Sequence, residues 1–354
     1  MSRFFSDKFK NLVPYTPGEQ PQDKKYIKLN TNESPYPPSE KAVNEAFKAA
    51  HSLMLYPDPD CTLLSRLYAK KLGVCADEIL VTNGSDEILN FAFSAFCDKD
   101  TPAVFPDITY GFYSVFADLY NISYKTIPLK DDFSINADDY FNANATVFIA
   151  NPNAPTGIAL SVFEIEEIVK NNPDNVVVID EAYVDFGAQS AVSLIHKYDN
   201  LLITQTFSKS RSMAGARLGF GIGCKSLIAD LNTLKYSTNP YNVNAMTAAA
   251  GIGMLEDDEY TKKNCEKIVK TRIKTAKSLE NLGFTVTNSY ANFVFAKHNI
   301  LSGEKIYRSL KQNGILVRHF DGERIKDYNR ITIGSDEQME VFIEKIKEIV
   351  KGSL

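Results

Sequence analysis

Two hydrophobic periods alternate along the first two thirds of the chain. Short runs of β-branched and aromatic residues fall at 79–82, 103–105, 124–128, 147–150, 176–180, 201–205 and 218–222. Between several of them lie longer stretches in which apolar positions recur every three or four residues, at 40–51, 63–71, 86–97, 112–119 and 163–171. The short runs predict strands and the long ones amphipathic helices. Strand and helix in alternation over this length is the pattern of an α/β fold, a largely parallel sheet covered by helices. Gly73 suits the end of the second helix, where a left-handed residue closes the last turn. From Asn244 to Asn281 the pattern is helical, with a charge-laced segment over 260–282 that stops at Gly283 and reads as a bridge between domains. Beyond it, strands at 285–287, 293–295, 315–318 and 330–333 interleave with helices at 304–312 and 337–350, predicting a compact α+β unit. The first residues, through Pro17, Gly18 and Pro21, read as an extended arm. The expected division is an arm over 1–29, a large α/β domain over 30–250 and a small α+β domain over 251–354.

A chain of 354 residues is long for one core and right for two. Its 44% hydrophobic and 23% charged content is that of an ordinary globular protein. A net charge of -5 argues against non-specific binding to nucleic acid or to an anionic membrane, so a small anion must be drawn in by a local cluster of arginines and backbone N–H groups. No stretch approaches the roughly 20 apolar residues of a membrane span, and the first seven residues lack the apolar core of a signal peptide, so the expected location is cytoplasmic. Cys61, Cys75, Cys97, Cys224 and Cys265 are odd in number, scattered and without a CxxC pair, which disfavours a disulfide framework and a zinc site. His51, His196, His298 and His319 are equally dispersed, and no metal site is expected.

Candidate chemistry gathers around Lys209. Any one of 39 lysines and arginines is by default a solvated surface charge. This one sits in Thr206-Phe207-Ser208-Lys209, with Arg217-Leu218-Gly219 eight residues on and Asp180-Glu181-Ala182-Tyr183 upstream. Together these supply an amine, a carboxylate, a phenol, and hydroxyl and guanidinium donors, the set a pyridoxal phosphate (PLP) site requires. Asp180 ends an apolar run, at the carboxyl end of a strand where open α/β sheets bind ligands. A lone buried carboxylate there is costly unless paired, and a protonated pyridine nitrogen is a suitable partner. Tyr183, three residues on, can donate to the cofactor's phenolic oxygen, although a packed tyrosine is the default for any one of 18. Arg217 suits a phosphate because its planar fork makes two hydrogen bonds. In Thr82-Asn83-Gly84-Ser85-Asp86-Glu87, Gly84 permits a tight turn and the Ser85 and Asp86 N–H groups face an anion at a helix N-terminus, although an ordinary capped helix start reads the same way. Asn151-Pro152-Asn153-Ala154-Pro155-Thr156-Gly157 is equally a plain strand-to-helix turn.

The order of these elements resembles the fold-type I PLP-dependent aminotransferases, and among them the histidinol-phosphate aminotransferases, over essentially the whole chain. Leu12-Val13-Pro14-Tyr15, Leu29-Asn30-Thr31-Asn32-Glu33-Ser34-Pro35-Tyr36, Tyr56-Pro57-Asp58, Ile108-Thr109-Tyr110-Gly111-Phe112-Tyr113 and Arg330-Ile331-Thr332-Ile333-Gly334 match motifs of that subfamily. The resemblance implies that Lys209 bonds PLP covalently, Asp180 pairs with its pyridine nitrogen, Tyr183 bonds its ring hydroxyl and Tyr110 stacks on its ring. It also implies a phosphate held by the Ser85 and Asp86 backbone, Ser208 and Arg217, with Tyr56 reaching over from the second subunit of a homodimer, and a substrate-anion site made by Tyr15, Arg318 and Arg330. The implied reaction converts L-histidinol phosphate and 2-oxoglutarate to imidazole acetol phosphate and L-glutamate in histidine biosynthesis. The family places an asparagine immediately before Pro-Thr-Gly, toward the cofactor's ring oxygen. Here that position is Ala154, leaving Asn153, one residue earlier, or Tyr183 alone for the contact. An aromatic amino acid aminotransferase, to which 18 tyrosines and 22 phenylalanines would lend a pocket, and a PLP-dependent decarboxylase resembling threonine-phosphate decarboxylase share the same core residues. A PLP-binding regulatory module would need a DNA-binding extension, and no basic helix of that kind is present.

Overall fold

The computed structural model describes residues 2–10 and 12–352. After the arm come β1 (Ile27–Lys28), α1 (Glu40–Ala50), α2 (Thr62–Leu72), β2 (Ile79–Thr82), α3 (Ser85–Phe96), β3 (Ala103–Pro106), α4 (Phe112–Tyr120) and β4 (Tyr124–Ile127). They are followed by β5 (Thr146–Ala150), α5 (Val162–Lys170), β6 (Val177–Asp180), β7 (Leu201–Thr206), β8 (Gly219–Gly223), α6 (Lys225–Thr238), α7 (Ala245–Glu256) and α8 (Asp258–Glu280). The C-terminal part holds β9 (Phe284–Val286), β10 (Phe293–His298), α9 (Gly303–Gln312), β11 (Ile315–Leu316), β12 (Arg318–His319), β13 (Tyr328–Thr332) and α10 (Asp336–Lys351). No helix among the described residues is long and apolar enough to cross a membrane.

Local chemistry sets many of the boundaries. Ser39 begins α1 by accepting the Ala42 N–H, Ser161 and Glu164 form a capping box on α5, and Asn244 opens α7 by accepting the Thr247 N–H. Gly73 closes α2 at φ 74°, the left-handed conformation expected of it.

The main sheet has seven strands in the order β2-β8-β7-β6-β5-β3-β4. From β7 to β4 neighbours run parallel, whereas β8 is antiparallel to both β7 and β2. Helices cover both faces, so the strands read as continuous apolar runs. Val147 and Ile149 of β5 pack into one apolar layer, while Phe148, stacked 4.0 Å from Phe93 of α3, packs into the other. The exception is β4, an edge strand with three exposed residues. The C-terminal unit is a four-stranded antiparallel sheet, β12-β13-β10-β9, whose core includes Phe293, Ile331 and Phe342.

Three features depart from the sequence pattern. Helix α6 was not anticipated, because its apolar stripe is thin and its buried face includes Lys235. The helical stretch ending at 281 is two helices, broken where Asp257 leaves helical geometry at φ -118°, ψ 48°, and α7 crosses α1 so closely that a Cβ on Gly253 would lie 2.6 Å from Ala42 Cα. The single strand expected at 315–318 is divided: β11 pairs in parallel with β1 from the arm, and β12 pairs with β13. Arm residues thereby join the C-terminal unit, with the Leu29 N–H donating to Leu316 O (2.8 Å) and the Thr332 N–H to Leu29 O (2.9 Å).

Candidate active site

The carboxyl ends of β5, β6 and β7 open toward the C-terminal unit, and the functional side chains stand there. Asp180 is the last residue of β6, Tyr183 lies three residues beyond it, and Ser208 and Lys209 follow directly on β7. Ser85 and Asp86 are the first residues of α3, and Arg217, left-handed at φ 56°, stands just before β8. All of them, with Tyr110 and Ala154, line an inner cavity of ≈ 80 Å³.

One end of this cavity is built for an anion. Gly84 turns the chain from β2 into α3 at φ 78°, and a Cβ on it would stand 2.6 Å from Arg217 Nη2. A Cβ on Gly219 would stand 2.3 Å from both Gly84 C and Ser85 N. Two missing side chains thus let a guanidinium and a helix N-terminus converge, an arrangement that favours negative charge. Arg217 Nη1 donates to Ser208 Oγ (3.3 Å) and Nη2 to Asp86 Oδ2 (2.9 Å), and Tyr110 OH donates to Asp86 Oδ1 (2.8 Å).

Electrostatics at the other end follow from burial. Asp180 accepts from Ala182 N (3.2 Å) and Tyr113 OH (3.4 Å), and burial, reinforced by the Asp86 carboxylate, pushes its carboxyl up to about 7. Lys209 Nζ donates to Thr31 O (3.3 Å). Burial, with Arg330 acting in the same direction, lowers its amine to about 8, against the opposing pull of Asp86 and Glu33. Tyr183 OH accepts from Asn32 Nδ2 (2.9 Å), and its ring meets Phe293 edge-on at 5.2 Å. An amine neutral in part near pH 8 can act as nucleophile or base.

An outer cavity of ≈ 390 Å³ adjoins the first through Tyr110, Ala154, Tyr183 and Lys209 and extends to Tyr15, Arg318 and Arg330. Arg330 Nη2 donates to Asn30 O (3.1 Å), its Nε is buried without a hydrogen-bond partner, and burial lowers its guanidinium below the ordinary value. Arg318 spans the arm, donating to Thr16 O and Pro17 O at 3.2 Å each. Tyr15 stacks on Phe112 at 4.2 Å. A roomier groove, ≈ 540 Å³ beside α2, β2 and α6, contains none of these residues.

Two expected site residues stand elsewhere. Asn153 lines neither cavity: its Nδ2 donates to Ile108 O (2.9 Å) and Thr156 Oγ1 (3.2 Å), and its Oδ1 accepts from Thr109 Oγ1 (2.8 Å). These bonds hold the turn and commit its Nδ2 and Oδ1 to neighbouring residues. Tyr56 is 82% exposed, stacks on Tyr241 at 4.6 Å and lines neither cavity of its own chain. Among residues not singled out individually, Asn32 stands against Tyr183, and its signal was an asparagine suited to a left-handed backbone, φ 57°.

The inner cavity thus fits PLP by its donor set: a cradle that any Cβ would fill for the phosphate, a buried carboxylate with no salt bridge among the described residues for a cationic ring nitrogen, and an amine with a depressed pKa. A sequence model described as aminotransferase class I and II matches residues 24–346. The chain is 51% identical to a histidinol-phosphate aminotransferase of Brachyspira hyodysenteriae, over 99% of this chain and 100% of that one. It is 48% identical to a histidinol-phosphate aminotransferase of Clostridium beijerinckii, over 100% and 99%. In three dimensions it resembles the histidinol-phosphate aminotransferase of Sinorhizobium meliloti, solved in complex with pyridoxal-5'-phosphate, with a TM-score of 0.86 and 22% identity over 94% of this chain and 92% of that one.

Proposed function

The chain belongs to the class I and II aminotransferases, and from that premise we propose that it moves the amino group of L-histidinol phosphate to 2-oxoglutarate, yielding imidazole acetol phosphate and L-glutamate, with PLP held at Lys209. The observation that carries this reading is the convergence of Lys209, Asp180, Tyr183 and Arg217 on one cavity that opens onto a buried, incompletely bonded Arg330.

Arg217, Ser208 and the Ser85 and Asp86 N–H groups would hold the cofactor's phosphate, Tyr110 would face its ring, and Asp180 would keep its ring nitrogen protonated. When bound, PLP supplies a conjugated electron sink for the pair left behind as the amine-bearing carbon loses its proton. Lys209 would take that proton with its neutral amine, for which a pKa of about 8 is well matched to neutral conditions. Tyr183 would donate to the ring oxygen. Arg330, with its free Nε, and Arg318 bind the anionic end of the substrate, a phosphate in one half-reaction and a carboxylate in the other, since a guanidinium fork accepts either. Tyr15, seated on Phe112, closes the outer cavity above them.

A homodimer belongs to the same reading. Val43 and Phe47 of α1 and Leu53, Met54, Leu55 and Tyr56 after it are all more than half exposed. Exposed apolar side chains grouped along one stretch of chain support an interface there, and a second copy docked on it would offer Tyr56 to its partner's phosphate cup.

The test is a single-turnover absorbance experiment on PLP-loaded protein given L-histidinol phosphate without an oxo acid, beside a phenylalanine sample. Rapid spectral conversion with histidinol phosphate and far slower conversion with phenylalanine is the expected outcome. Conversion with phenylalanine alone would reassign the enzyme to aromatic amino acids, and carbon dioxide release from an amino acid phosphate would reassign it to decarboxylation.

A further inference from the structure

Asn32 is held on every side. It is 1% exposed, its N–H donates to Thr332 Oγ1 (2.9 Å) and its carbonyl oxygen accepts from Asn292 Nδ2 (2.9 Å). Its side-chain Oδ1 accepts from Thr332 Oγ1 (3.0 Å), and its Nδ2 donates to Tyr183 OH (2.9 Å). The Thr332 hydroxyl determines which way the amide points. Its oxygen already receives the Asn32 N–H, so its single proton goes to Asn32 Oδ1 and leaves Nδ2 for Tyr183. With the amide reversed, two N–H groups would face Thr332 and the hydroxyl proton would lose its acceptor.

The phenol's proton is the consequence. Tyr183 OH has one proton to give, and because its oxygen accepts from Asn32, that proton is not spent on Asn32 and is free for the inner cavity, which Tyr183 lines. Ala154 lines the same cavity and presents only a methyl group. Asn153, the neighbouring amide, is committed to Ile108, Thr109 and Thr156. Tyr183 is therefore the neutral donor at this wall of the cavity, and Asn32 orients it.

We propose that Asn32 is a positioning residue that holds Tyr183 as the hydrogen-bond donor toward the cofactor's ring oxygen, the work an amide side chain at position 154 would share. The proposal rests on the PLP reading above. The charged and titratable groups acting on the same phenol are Arg330, Asp180 and Asp86, with Lys209 Nζ 6.0 Å from its ring centroid and Tyr15 and Tyr113 interacting with it.

The test uses full-length Asn32→Asp, Asn32→Gly and Tyr183→Phe proteins and the two double variants. Two quantities are read: PLP affinity by titration of the cofactor-free protein, and the pH midpoint of the bound cofactor's absorbance. Asn32→Asp accepts the left-handed backbone and can keep the Thr332 contact, but turns an oxygen toward Tyr183 and draws the phenol's proton away from the cavity. Asn32→Gly removes the donor without adding charge and suits φ 57° without strain. Each should weaken PLP binding by about tenfold and move the pH midpoint, and in the Tyr183→Phe background each should change affinity by less than about twofold. Equal shifts in both backgrounds, or no shift in either, would overturn the proposal. A wild-type protein that binds no PLP would instead overturn the parent reading.

Discussion

Lys209 and Asp180 are strained in opposite electrostatic senses by the same burial. The Lys209 amine falls from 10.5 to about 8, with Arg330 adding to burial, Asp86 and Glu33 opposing, and Arg217 a lesser contributor in the same sense as Arg330. Between about pH 8 and 10.5 the unfolded chain therefore binds more protons than the native one, so this group's contribution to stability rises with pH across that window and its full cost is present below it. In the cofactor-free protein Lys209→Met should stabilise the fold at pH 7 by about 1–3 kcal/mol, a gain that shrinks at pH 9.5. Urea unfolding at both pH values measures it, and an equal gain at both would show that the shifted amine is not its origin. Asp180, raised from 3.8 to about 7, runs the other way: its contribution is fully present below pH 3.8 and is lost as pH rises through about 7. Both costs are those of a site arranged to receive a charged ligand. Lys209, Asp180 and Tyr183 were legible in the sequence because each follows an apolar run that had to be a strand. Asn32 was legible only as part of a motif, since its partners Tyr183 and Thr332 are 151 and 300 positions away.

At the scale of elements, the phosphate cup depends on how closely α3 can approach β8. Gly219 sits where the two meet, and the atoms its Cβ would strike, Gly84 C and O and Ser85 N, are all backbone. Gly219→Ala should destabilise the protein by about 1–3 kcal/mol and weaken PLP binding. Gly215→Ala, at a position with no atom within 4 Å of the added Cβ, should do neither. Thermal melting and PLP titration of the two variants decide the matter, and wild-type behaviour of Gly219→Ala would remove the cup from the account. The strands of the main sheet were legible to within a residue or two, all but the exposed edge strand β4 because burial on both faces leaves them largely apolar. The two-residue β1 was not, because so short a strand has no period and exists only through its pairing with β11.

The whole molecule places the site at a seam. Arm residues run from Tyr15, stacked on Phe112 of the first unit, to Glu19, which binds Tyr307 and Lys311 of the second, and Arg318 grips the stretch between. The apolar surface around Leu55 lies on the first unit, and Tyr56 within it points to no cavity of its own chain. On the proposed homodimer, Leu55→Asp should give a particle of half the wild-type mass in sedimentation and at the same time weaken PLP binding, because the proposed Tyr56 contact would be lost with the partner. A monomeric wild type would sink the dimer, and a dissociated variant with unchanged PLP affinity would sink the role of Tyr56.

What the sequence determined by itself is most of the strands and helices, α6 and β1 excepted, their α/β order, and the presence at strand ends of an amine, a carboxylate and a phenol. Burial dictates periodicity locally, and chemistry at a strand end is visible beside the apolar run that precedes it. What only the tertiary structure decided is which of these groups meet: that Ala154 and not Asn153 faces the cavity, that the arm captures Arg318, and that Asn32 orients Tyr183. Those contacts join segments 45 to 301 positions apart, and hydrogen bonds between distant segments leave no period in the chain because only the packed fold brings their donors and acceptors within 3 Å or so of one another.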